Sequence, residues 1–282
     1  MALVAGVRWS FAGEDAGRVN SEELLAQPRT LTAGEQRSPA AQTPFRQARL
    51  SWLVAEVAAK VDETPRVRTL LLDADGWSGH RPGQHLDVRL TAEDGYEAQR
   101  SYSIASAPDE QLAITVERLT DGEVSPWLVD EAHDGDRFEV RGPIGGYFVW
   151  EDDGRPVFLV GGGSGVVPLM AMIRSSPGSA RMRLLYSSRT LEDVIYRDEL
   201  AEREGHGVEV FYTLTRAQPP GWTGYSKRID TALLREVAWA AAERPHVFIC
   251  GSTRFVDAAA DGLLELGYEP ESIRTERFGA TG

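Results

Sequence analysis

The sequence predicts a two-domain protein in which an antiparallel β-barrel is followed by an α/β domain built on a parallel sheet. The first observation behind this prediction is length, because 282 residues correspond to about two domains. The second is a series of short, β-patterned segments between residues 50 and 150. The third is the alternation of strand and helix patterns between residues 151 and 282.

Residues 1–49 differ in composition from the rest of the chain, since Gly, Ala, Ser, Pro, Gln and Thr are frequent and apolar residues show little periodicity. Such a segment cannot bury enough apolar surface to fold alone, so we expect a disordered extension. A translation start placed too early or a tag remnant would give the same pattern. A short helix over residues 21–26, capped by Ser21, is also compatible with it.

Segments rich in Val, Leu, Ile and Tyr recur between residues 50 and 150 and are separated by turn residues. This spacing is typical of an antiparallel barrel. The predicted strands are 52–61, 67–73, 85–91, 98–104, 112–119 and 137–141. One short helix is predicted at 126–131, and the polar turn at 151–155 marks the predicted domain boundary.

Beyond residue 155 the pattern changes to strands that alternate with helices, which is typical of a parallel sheet with helices on both faces. The predicted strands are 157–160, 182–186, 208–214, 247–250 and 274–278. The predicted helices are 166–174, 192–203, 231–240 and 253–266. The sequence thus divides into a barrel domain at 50–150 and an α/β domain at 151–282.

Composition excludes several classes of site and partner. The single cysteine, Cys250, cannot form a disulfide within the chain or supply the four thiolates of an all-cysteine iron–sulfur cluster. The five histidines are scattered along the chain as surface or barrel-rim residues, so we predict no metal site. A net charge of −13 disfavours nucleic acid, and no apolar run reaches the roughly 20 residues of a membrane span. We therefore expect a cytoplasmic protein.

The strongest local signal is the segment 161–168, Gly-Gly-Gly-Ser-Gly-Val-Val-Pro. It follows an apolar strand and opens a helix, so its glycines would let the backbone approach a pyrophosphate at the helix N-terminus. Pro168 stands where the common dinucleotide pattern has its third glycine, and proline suits a first helical turn. A plain strand-to-helix connection is the alternative interpretation.

Polar motifs also lie in the barrel. In the strand at 98–104, Arg100 and Tyr102 share a face, so a cation and a flat aromatic ring stand together and suit a phosphate and a ring system. The segments 122–125 and 141–147 are glycine turns whose backbone amides suit a diphosphate. An ordinary polar strand and ordinary hairpins would explain the same residues.

With these motifs, the chain from Trp52 onward resembles the ferredoxin–NADP reductase superfamily. Six motifs carry the resemblance over about 230 residues, in the order in which the superfamily has them. They are Arg100, Tyr102, Ser103 and Ser106 (R-x-Y-S-x-x-S), Gly122 and Ser125 (G-x-x-S), Gly142 to Gly145 (G-P-x-G), Gly161 to Pro168, Cys250-Gly251, and Glu276 to Phe278.

The resemblance implies a flavin in the barrel domain, and FAD rather than FMN. It implies that Arg100 binds a flavin phosphate, that Tyr102 stacks on the isoalloxazine, and that Ser103 hydrogen-bonds near flavin N5. The other residues implied in FAD binding are Ser106, Arg118, Gly122, Val124, Ser125, Gly142, Gly145 and Phe278.

The resemblance further implies a nicotinamide nucleotide in the α/β domain, held at the turn by Gly162, Gly163, Ser164, Gly165 and Pro168. Cys250, with Gly251 beside it, and Glu276 would flank the nicotinamide. The implied catalytic residues are therefore Ser103, Cys250 and Glu276. Two departures from the family pattern stand out, since Ser252 replaces a common proline and four residues follow Phe278, which leaves its stacking on the flavin open.

Charge at the end of the second strand of the α/β domain favours NADPH over NADH. Ser188 and Arg189 suit a 2′-phosphate, and Arg216 or the pair Lys227-Arg228 would add positive charge. Arg189 as a solvated loop residue explains the same sequence, so NADH stays an alternative.

These observations predict a flavin-dependent oxidoreductase that passes a hydride from NADPH to FAD and then single electrons to a separate acceptor. A ferredoxin, a flavodoxin, or an oxygenase or heme partner would serve, because one cysteine leaves no fused 2Fe-2S domain in this sequence. One alternative is a flavin reductase or diaphorase that acts on free flavin or small acceptors. Another is a non-catalytic electron-transfer subunit of a larger complex.

Overall fold

A computed structural model describes residues 50–278 apart from residues 177 and 179. The expectations for residues 1–49, namely an extension and a helix at 21–26, lie outside the described residues, as do the four residues that follow Phe278. No helix in the described part of the chain is both long enough and apolar enough to cross a membrane.

Six antiparallel strands form the first domain, in the order β4-β3-β6-β1-β2-β5. The strands are β1 (Leu53–Thr64), β2 (Val67–Ala74), β3 (His85–Thr91), β4 (Glu97–Ser103), β5 (Ala113–Glu117) and β6 (Arg137–Ile144). The two edge strands meet through a bridge between Ile104 and Ile114, which closes the sheet on itself. Alternate residues such as Leu86, Val88 and Leu90 fill the interior, as the period-two pattern requires.

A short helical segment closes one end of the barrel. It starts as α1 (Val124–Pro126) and continues as a π-helical turn at Trp127–Glu131. Trp127, Leu128 and Val129 are buried with the barrel interior. The Lys60 ammonium donates to the carbonyls of Val129 and Ala132 at 3.0 and 2.7 Å. It thereby provides hydrogen-bond partners for two carbonyl groups at the end of the helical segment.

Five parallel strands form the second domain, in the order β11-β10-β7-β8-β9. The strands are β7 (Val157–Gly162), β8 (Met182–Ser188), β9 (Val208–Leu214), β10 (His246–Gly251) and β11 (Ile273–Arg277). The helices are α2 (Val166–Arg174), α3 (Arg197–Arg203), α4 (Thr231–Val237) and α5 (Thr253–Glu265), with 3-10 turns at Gly163–Gly165, Ala241–Glu243 and Pro270–Ser272. Because β7 lies between β8 and β10, its carboxyl end is the topological switch point, where open α/β sheets bind ligands.

The helix predicted at 192–203 is wrong over its first five residues, since α3 begins only at Arg197. Tyr196 has a φ of 59°, a left-handed conformation that a right-handed helix cannot contain. Its backbone N–H instead donates to a Glu63 carboxyl oxygen of the barrel at 3.2 Å. A long-range contact therefore overrides local helix propensity, and the short α3 is its consequence.

The outward face of β2 and β5 packs against the α/β domain. Val67, Ala105 and Ala113 of the barrel share one buried cluster with Ile195 and Tyr196. Between Ile144 and Val157 the chain has neither helix nor strand. The domain boundary placed at 151–155 within this stretch stays a prediction.

Candidate functional site

The carboxyl ends of β7, β10 and β11 face the barrel, and the glycine turn leads from the first of them into α2. A Cβ atom on Gly165 would lie 2.2 Å from the Cys250 carbonyl oxygen, so only glycine lets the start of α2 approach β10 this closely. Gly163 has a φ of +56°, and a Cβ atom there would have no neighbour within 4 Å, which leaves its backbone open to the cleft. Ser164 lines the cleft, and Pro168 is buried in the first turn of α2.

Cys250 and Glu276 are neighbours because the parallel register of β10 and β11 pairs them. The Cys250 sulfur lies 3.9 Å from a Glu276 carboxyl oxygen. Burial raises the pKa of Glu276 to about 7 and raises the pKa of the Cys250 thiol well above its ordinary value. The thiol is therefore protonated at neutral pH, while the carboxyl group is near its midpoint between charged and neutral forms.

The barrel contributes His85 and Ser103 to the same place. His85 Nδ1 lies 4.0 Å from the other Glu276 carboxyl oxygen, and burial lowers the pKa of His85. Antiparallel pairing of β3 and β4 sets His85 opposite Ser103. The Ser103 hydroxyl is buried without a hydrogen-bond partner among the residues described. This hydroxyl therefore remains able to donate or accept a hydrogen bond at the domain junction.

Sequence reasoning missed His85, which it grouped with histidines of the surface and barrel rim. A partial signal was present, because His85 opens the strand that precedes the R-x-Y-S strand. The register that brings it opposite Ser103, and the domain packing that brings it to Glu276, are not encoded locally.

Arg100 and Tyr102 lie on β4 and share a face, as their spacing predicts. The Arg100 guanidinium is exposed and donates to the Gln99 carbonyl at 2.6 Å, and no described carboxylate pairs with it. Burial raises the pKa of the Tyr102 hydroxyl. A cation without a counterion beside a largely buried aromatic ring fits an anionic group attached to a flat ring system.

Several residues expected at the flavin are used by the barrel itself. The Ser106 hydroxyl accepts from the Ala113 N–H at 3.0 Å, and the Ser125 hydroxyl accepts from the Leu119 N–H at 3.1 Å. A Cβ atom on Gly122 would meet the Ser125 hydroxyl at 2.9 Å, so the G-x-x-S pair closes the turn. Val124 is buried in that turn, and the Arg118 guanidinium pairs with Asp130 at 2.5 Å.

The second barrel turn lies beside His85. Gly142 packs against Leu86 and Trp77, where a Cβ atom would approach side-chain atoms to 3.0 Å. The Gly145 carbonyl accepts from the Gln84 side-chain amide at 2.7 Å, and a Cβ atom on Gly145 would lie 3.5 Å from the His85 ring. The G-P-x-G turn therefore borders the junction at which His85 and Glu276 meet.

Phe278, the last residue described, is 37% exposed. Its N–H donates to the Gly251 carbonyl at 2.9 Å, which continues the pairing of β10 and β11 and brings Phe278 next to the Cys250-Gly251 pair. The backbone of Gly251 approaches the Phe255 ring of α5, where a Cβ atom would lie 2.8 Å from the ring.

A cavity of about 280 Å³ opens between the two domains. Its walls come from both, and they include Arg66 and Glu117 of the barrel, and Gly162, Ser164, Ser188, Arg189 and Asp193 of the α/β domain. The Arg189 guanidinium lies 3.3 Å from Asp193 and 3.9 Å from Glu117.

Of the other cations considered for a 2′-phosphate, Arg216 lies in the segment adjoining the cavity. Its N–H donates to the Arg189 carbonyl at 2.9 Å, so the segments after β8 and β9 are joined. Lys227 pairs with Asp230 at 2.9 Å and does not line the cavity, and neither does Arg228. Glu117 and Arg66 were not anticipated from the sequence, because these barrel residues reach the cavity only through domain packing. Asp193 lies in the same segment as Arg189 and pairs with it locally.

Two domain families match these two halves of the chain. The Oxidoreductase FAD-binding domain matches residues 55–149, and the Oxidoreductase NAD-binding domain matches residues 159–261. Ferredoxin–NADP reductase B of Sorangium cellulosum is 33% identical over 228 residues, which cover 76% of this chain and 93% of that protein. The chain belongs to the ferredoxin–NADP reductase superfamily.

Longer relatives of the same superfamily are also similar. The glycine betaine monooxygenase reductase subunit of Chromohalobacter salexigens is 32% identical over 232 residues, 78% of this chain and 62% of that subunit. The chain thus spans less than two thirds of such a relative. Among solved structures, an Amycolatopsis cytochrome P450 reductase superposes with a TM-score of 0.72 at 28% identity, covering 83% of this chain and 71% of that one.

The described residues fit the FAD that superfamily membership implies. The unpartnered Ser103 hydroxyl and the counterion-free Arg100 guanidinium both lie on β4, where a flavin and its phosphate need partners. The glycine turn leaves backbone open at Gly163 for a nucleotide in the α/β domain. The domain junction therefore offers groups that are compatible with both cofactors.

Proposed function

We propose that this protein is an FAD-dependent reductase that takes a hydride from NADPH and delivers single electrons to a separate acceptor protein in the cytoplasm. The observation that carries the proposal is the junction where Ser103 and His85 of the barrel meet Glu276 and Cys250 of the parallel sheet. In the proposal each domain binds one of the two cofactors, and these four side chains lie at the junction of the two domains.

In this proposal the barrel orients the flavin. Arg100 binds a phosphate of FAD, Tyr102 lies against the ring system, and Ser103 offers its free hydroxyl to the ring edge. The turns at Gly122–Ser125 and at Gly142–Gly145 border the cofactor through backbone groups, since the Ser125 hydroxyl is already used. FAD, when bound, supplies the ability to accept a hydride and to release electrons one at a time.

The α/β domain orients the nicotinamide nucleotide. The backbone from Gly162 to Gly165 would hold its pyrophosphate at the start of α2, and Gly251, next to Cys250, would border the nicotinamide. The neutral thiol of Cys250 acts as packing surface rather than as a nucleophile, because burial raises its pKa.

Glu276 is the group able to hold or release a proton at neutral pH, since its pKa is about 7. His85 lies 4.0 Å from it and stays neutral more readily because burial lowers its pKa. Ser103 lies opposite His85 in the register of β3 and β4, so its hydroxyl belongs to the same polar group of residues at the domain junction. We assign to Ser103 and Glu276 the control of protonation beside the flavin.

The acceptor follows from the sequence and from the relatives. The given sequence has one cysteine and cannot supply the thiolates of a 2Fe-2S cluster, and we propose a separate molecule as the electron acceptor. The similar protein from Chromohalobacter salexigens is named a monooxygenase reductase subunit, and the one from Sorangium cellulosum is named a ferredoxin–NADP reductase. A ferredoxin, a flavodoxin or an oxygenase component is the acceptor class we propose.

Anaerobic titration of the purified yellow protein tests the proposal. A stoichiometric amount of NADPH should bleach the flavin absorption band, and added ferredoxin should restore it. A protein that binds no flavin, or whose flavin stays oxidised with both NADPH and NADH, would contradict the proposed function. Turnover with free flavin but with no protein acceptor would favour a flavin reductase instead.

The preference for NADPH is tested by the variant Arg189→Ala. The Arg189 guanidinium is a positive charge in the cavity wall, so we expect it to bind the 2′-phosphate and to favour NADPH over NADH. The phosphate must compete for it with the carboxylates of Asp193 and Glu117. A charge-assisted hydrogen bond contributes about 1.5–3 kcal/mol, so the NADPH/NADH ratio of kcat/KM should fall at least about tenfold. The matched variant Asp193→Asn should raise this ratio, and an unchanged ratio in Arg189→Ala would contradict the assignment.

A further inference from the structure

The interface between the two domains combines apolar packing with a connected set of polar contacts. Val67 and Ala113 of the barrel pack against Ile195 of the α/β domain. The same interface contains the side chains of Glu63, Thr69, Thr115, Arg174, Tyr196 and Glu199, which we call the interdomain network. The first three belong to the barrel and the last three to the α/β domain.

The first link of the network runs from Tyr196 into the barrel. Its hydroxyl donates to the Thr115 hydroxyl, and its backbone N–H donates to Glu63 at 3.2 Å. The Thr69 hydroxyl lies 2.8 Å from that of Thr115 and donates to Glu63 at 2.7 Å. Thr69, Thr115 and Tyr196 are all at least nine-tenths buried, so every one of these hydroxyl groups is paired inside the interface.

The second link runs from Arg174 to the flavin-motif segment. The Arg174 guanidinium donates to the Ala105 carbonyl at 2.7 Å, within the segment 100–106. It also binds Glu199 at 2.5 and 3.0 Å and lies 4.8 Å above the Tyr196 ring. Arg174 is the last residue of α2, the helix that begins at the glycine turn.

The two links connect the segments that carry the proposed flavin-binding residues with those that carry the proposed nucleotide-binding residues. One joins the end of α2 to the segment that directly follows β4, the strand that carries Arg100, Tyr102 and Ser103. The other joins the segment after Arg189 and Asp193 to β1, β2 and β5 of the barrel. An apolar contact alone tolerates sliding, whereas buried hydrogen bonds are satisfied in one register only.

We propose, on the basis of the proposed function, that the interdomain network fixes the register between the flavin-binding and nucleotide-binding domains, and that Thr115 and Tyr196 are positioning residues for hydride transfer. Neither residue lines the cavity itself, although Tyr196 directly follows Ile195, which does. They act through the position of one domain against the other. Misplacement of reacting groups by about 1 Å costs up to about 100-fold in rate, so a loosened register should appear in the rate of flavin reduction.

The test is the limiting rate of anaerobic flavin reduction at saturating NADPH, measured by stopped flow on the FAD-loaded full chain. Thr115→Val keeps the shape of the side chain but removes its hydroxyl, and with it the hydrogen bond from Tyr196. The limiting rate should fall about tenfold, while the dissociation constants for NADPH and FAD stay within about threefold of wild type. Thr115→Ser retains the hydroxyl and should restore the rate.

Two further variants separate register from stability. Because one hydrogen bond joins the two hydroxyl groups, Thr115→Val combined with Tyr196→Phe should slow reduction no more than the stronger single variant does. Tyr268→Phe removes a buried tyrosine hydroxyl that binds the Trp239 carbonyl, within the α/β domain at the opposite end of its sheet. It should lower the melting temperature and leave the rate of flavin reduction unchanged.

The outcomes distinguish this inference from the proposed function. If wild-type flavin is reduced rapidly and Thr115→Val is reduced equally fast, the positioning role is refuted and the proposed function stands. A rate that falls as much in Tyr268→Phe as in Thr115→Val also refutes the positioning role. If neither NADPH nor NADH reduces the wild-type flavin, it is the proposed function that fails.

Discussion

Glu276 shows how one residue can couple the acid–base state of the domain junction to folding. Its carboxyl group lies between Cys250 and His85, and its side chain is 22% exposed. Burial raises the pKa to about 7, from an ordinary value of 4.5. The folded protein therefore favours the protonated carboxyl group, which leaves it uncharged over part of the neutral range.

This shift predicts a specific dependence of stability on pH. A raised pKa in the folded state contributes stability that is complete below pH 4.5 and is lost as the pH rises through about 7. Glu276→Gln cannot titrate and lacks this loss. At pH 8 the variant should exceed wild type by on the order of 2 kcal/mol relative to their difference at pH 5, measured by urea denaturation of the FAD-loaded protein.

The control for this prediction is Glu271→Gln, which removes an exposed carboxyl group in the same region of the chain. It should keep the pH dependence of wild type. Identical pH profiles for wild type and Glu276→Gln would show that the carboxyl group at residue 276 is solvated and has an ordinary pKa.

Site residues that belong to a family motif could be predicted from the sequence. Site residues that only packing brings to the site could not. Ser103, Cys250 and Glu276 were anticipated through the family motifs, and the structure brings the last two within 3.9 Å. His85 and Glu117 were missed because a histidine or a glutamate on a barrel strand has no distinctive local pattern. Their positions depend on strand register and on domain packing.

At the scale of elements, the glycine turn before α2 combines a predicted binding role with an observed packing role. The sequence predicts backbone approach to a pyrophosphate, and the open surroundings of Gly163 are compatible with that role. Gly165 serves another purpose, because it is buried against the Cys250 carbonyl. The turn is therefore also a packing joint between α2 and β10, which the motif alone does not distinguish.

Substitution of the two glycines should separate these roles. Gly165→Ala places a Cβ atom 2.2 Å from backbone, so the turn must move away from β10 and stability should fall by about 3 kcal/mol. Gly163→Ala meets no neighbouring atoms and incurs only the left-handed backbone conformation, which costs about 1 kcal/mol. Guanidinium denaturation measures both, and equal losses would contradict the assignment of Gly165 to packing.

Strands and helices with strong periodicity were predicted well, as β3 and α2 show, since their bounds match the predicted 85–91 and 166–174. The failure at residues 192–196 has a tertiary cause. Glu63 and Tyr196 are 133 residues apart, and their hydrogen bond determines where α3 starts. Local propensity contains no information on a contact of this separation, which limits prediction from sequence to the elements that packing leaves unchanged.

At the scale of the whole molecule, both sheets and their order along the chain follow from sequence periodicity. The first domain shows only strand patterns, whereas in the second domain strand patterns alternate with helix patterns. The relative placement of the domains does not, since it depends on interface contacts such as those of Val67, Ile195 and the interdomain network. The function we propose depends on this placement more than on either sheet, because the two cofactors are held by different domains.

The net charge of −13 is a property of the whole molecule, and it predicts how electron transfer to an acceptor depends on salt. An excess of negative charge attracts a basic acceptor and repels an acidic one, and salt screens both effects over a Debye length of about 10 Å at 0.1 M. With the flavin reduced beforehand, electron transfer to basic cytochrome c should slow several-fold as ionic strength rises from roughly 0.02 to 0.3 M. Transfer to the small anion ferricyanide should accelerate over the same range. If cytochrome c reduction is insensitive to salt or becomes faster, a local basic surface rather than the net charge governs docking, and an acidic ferredoxin would then be the better candidate acceptor.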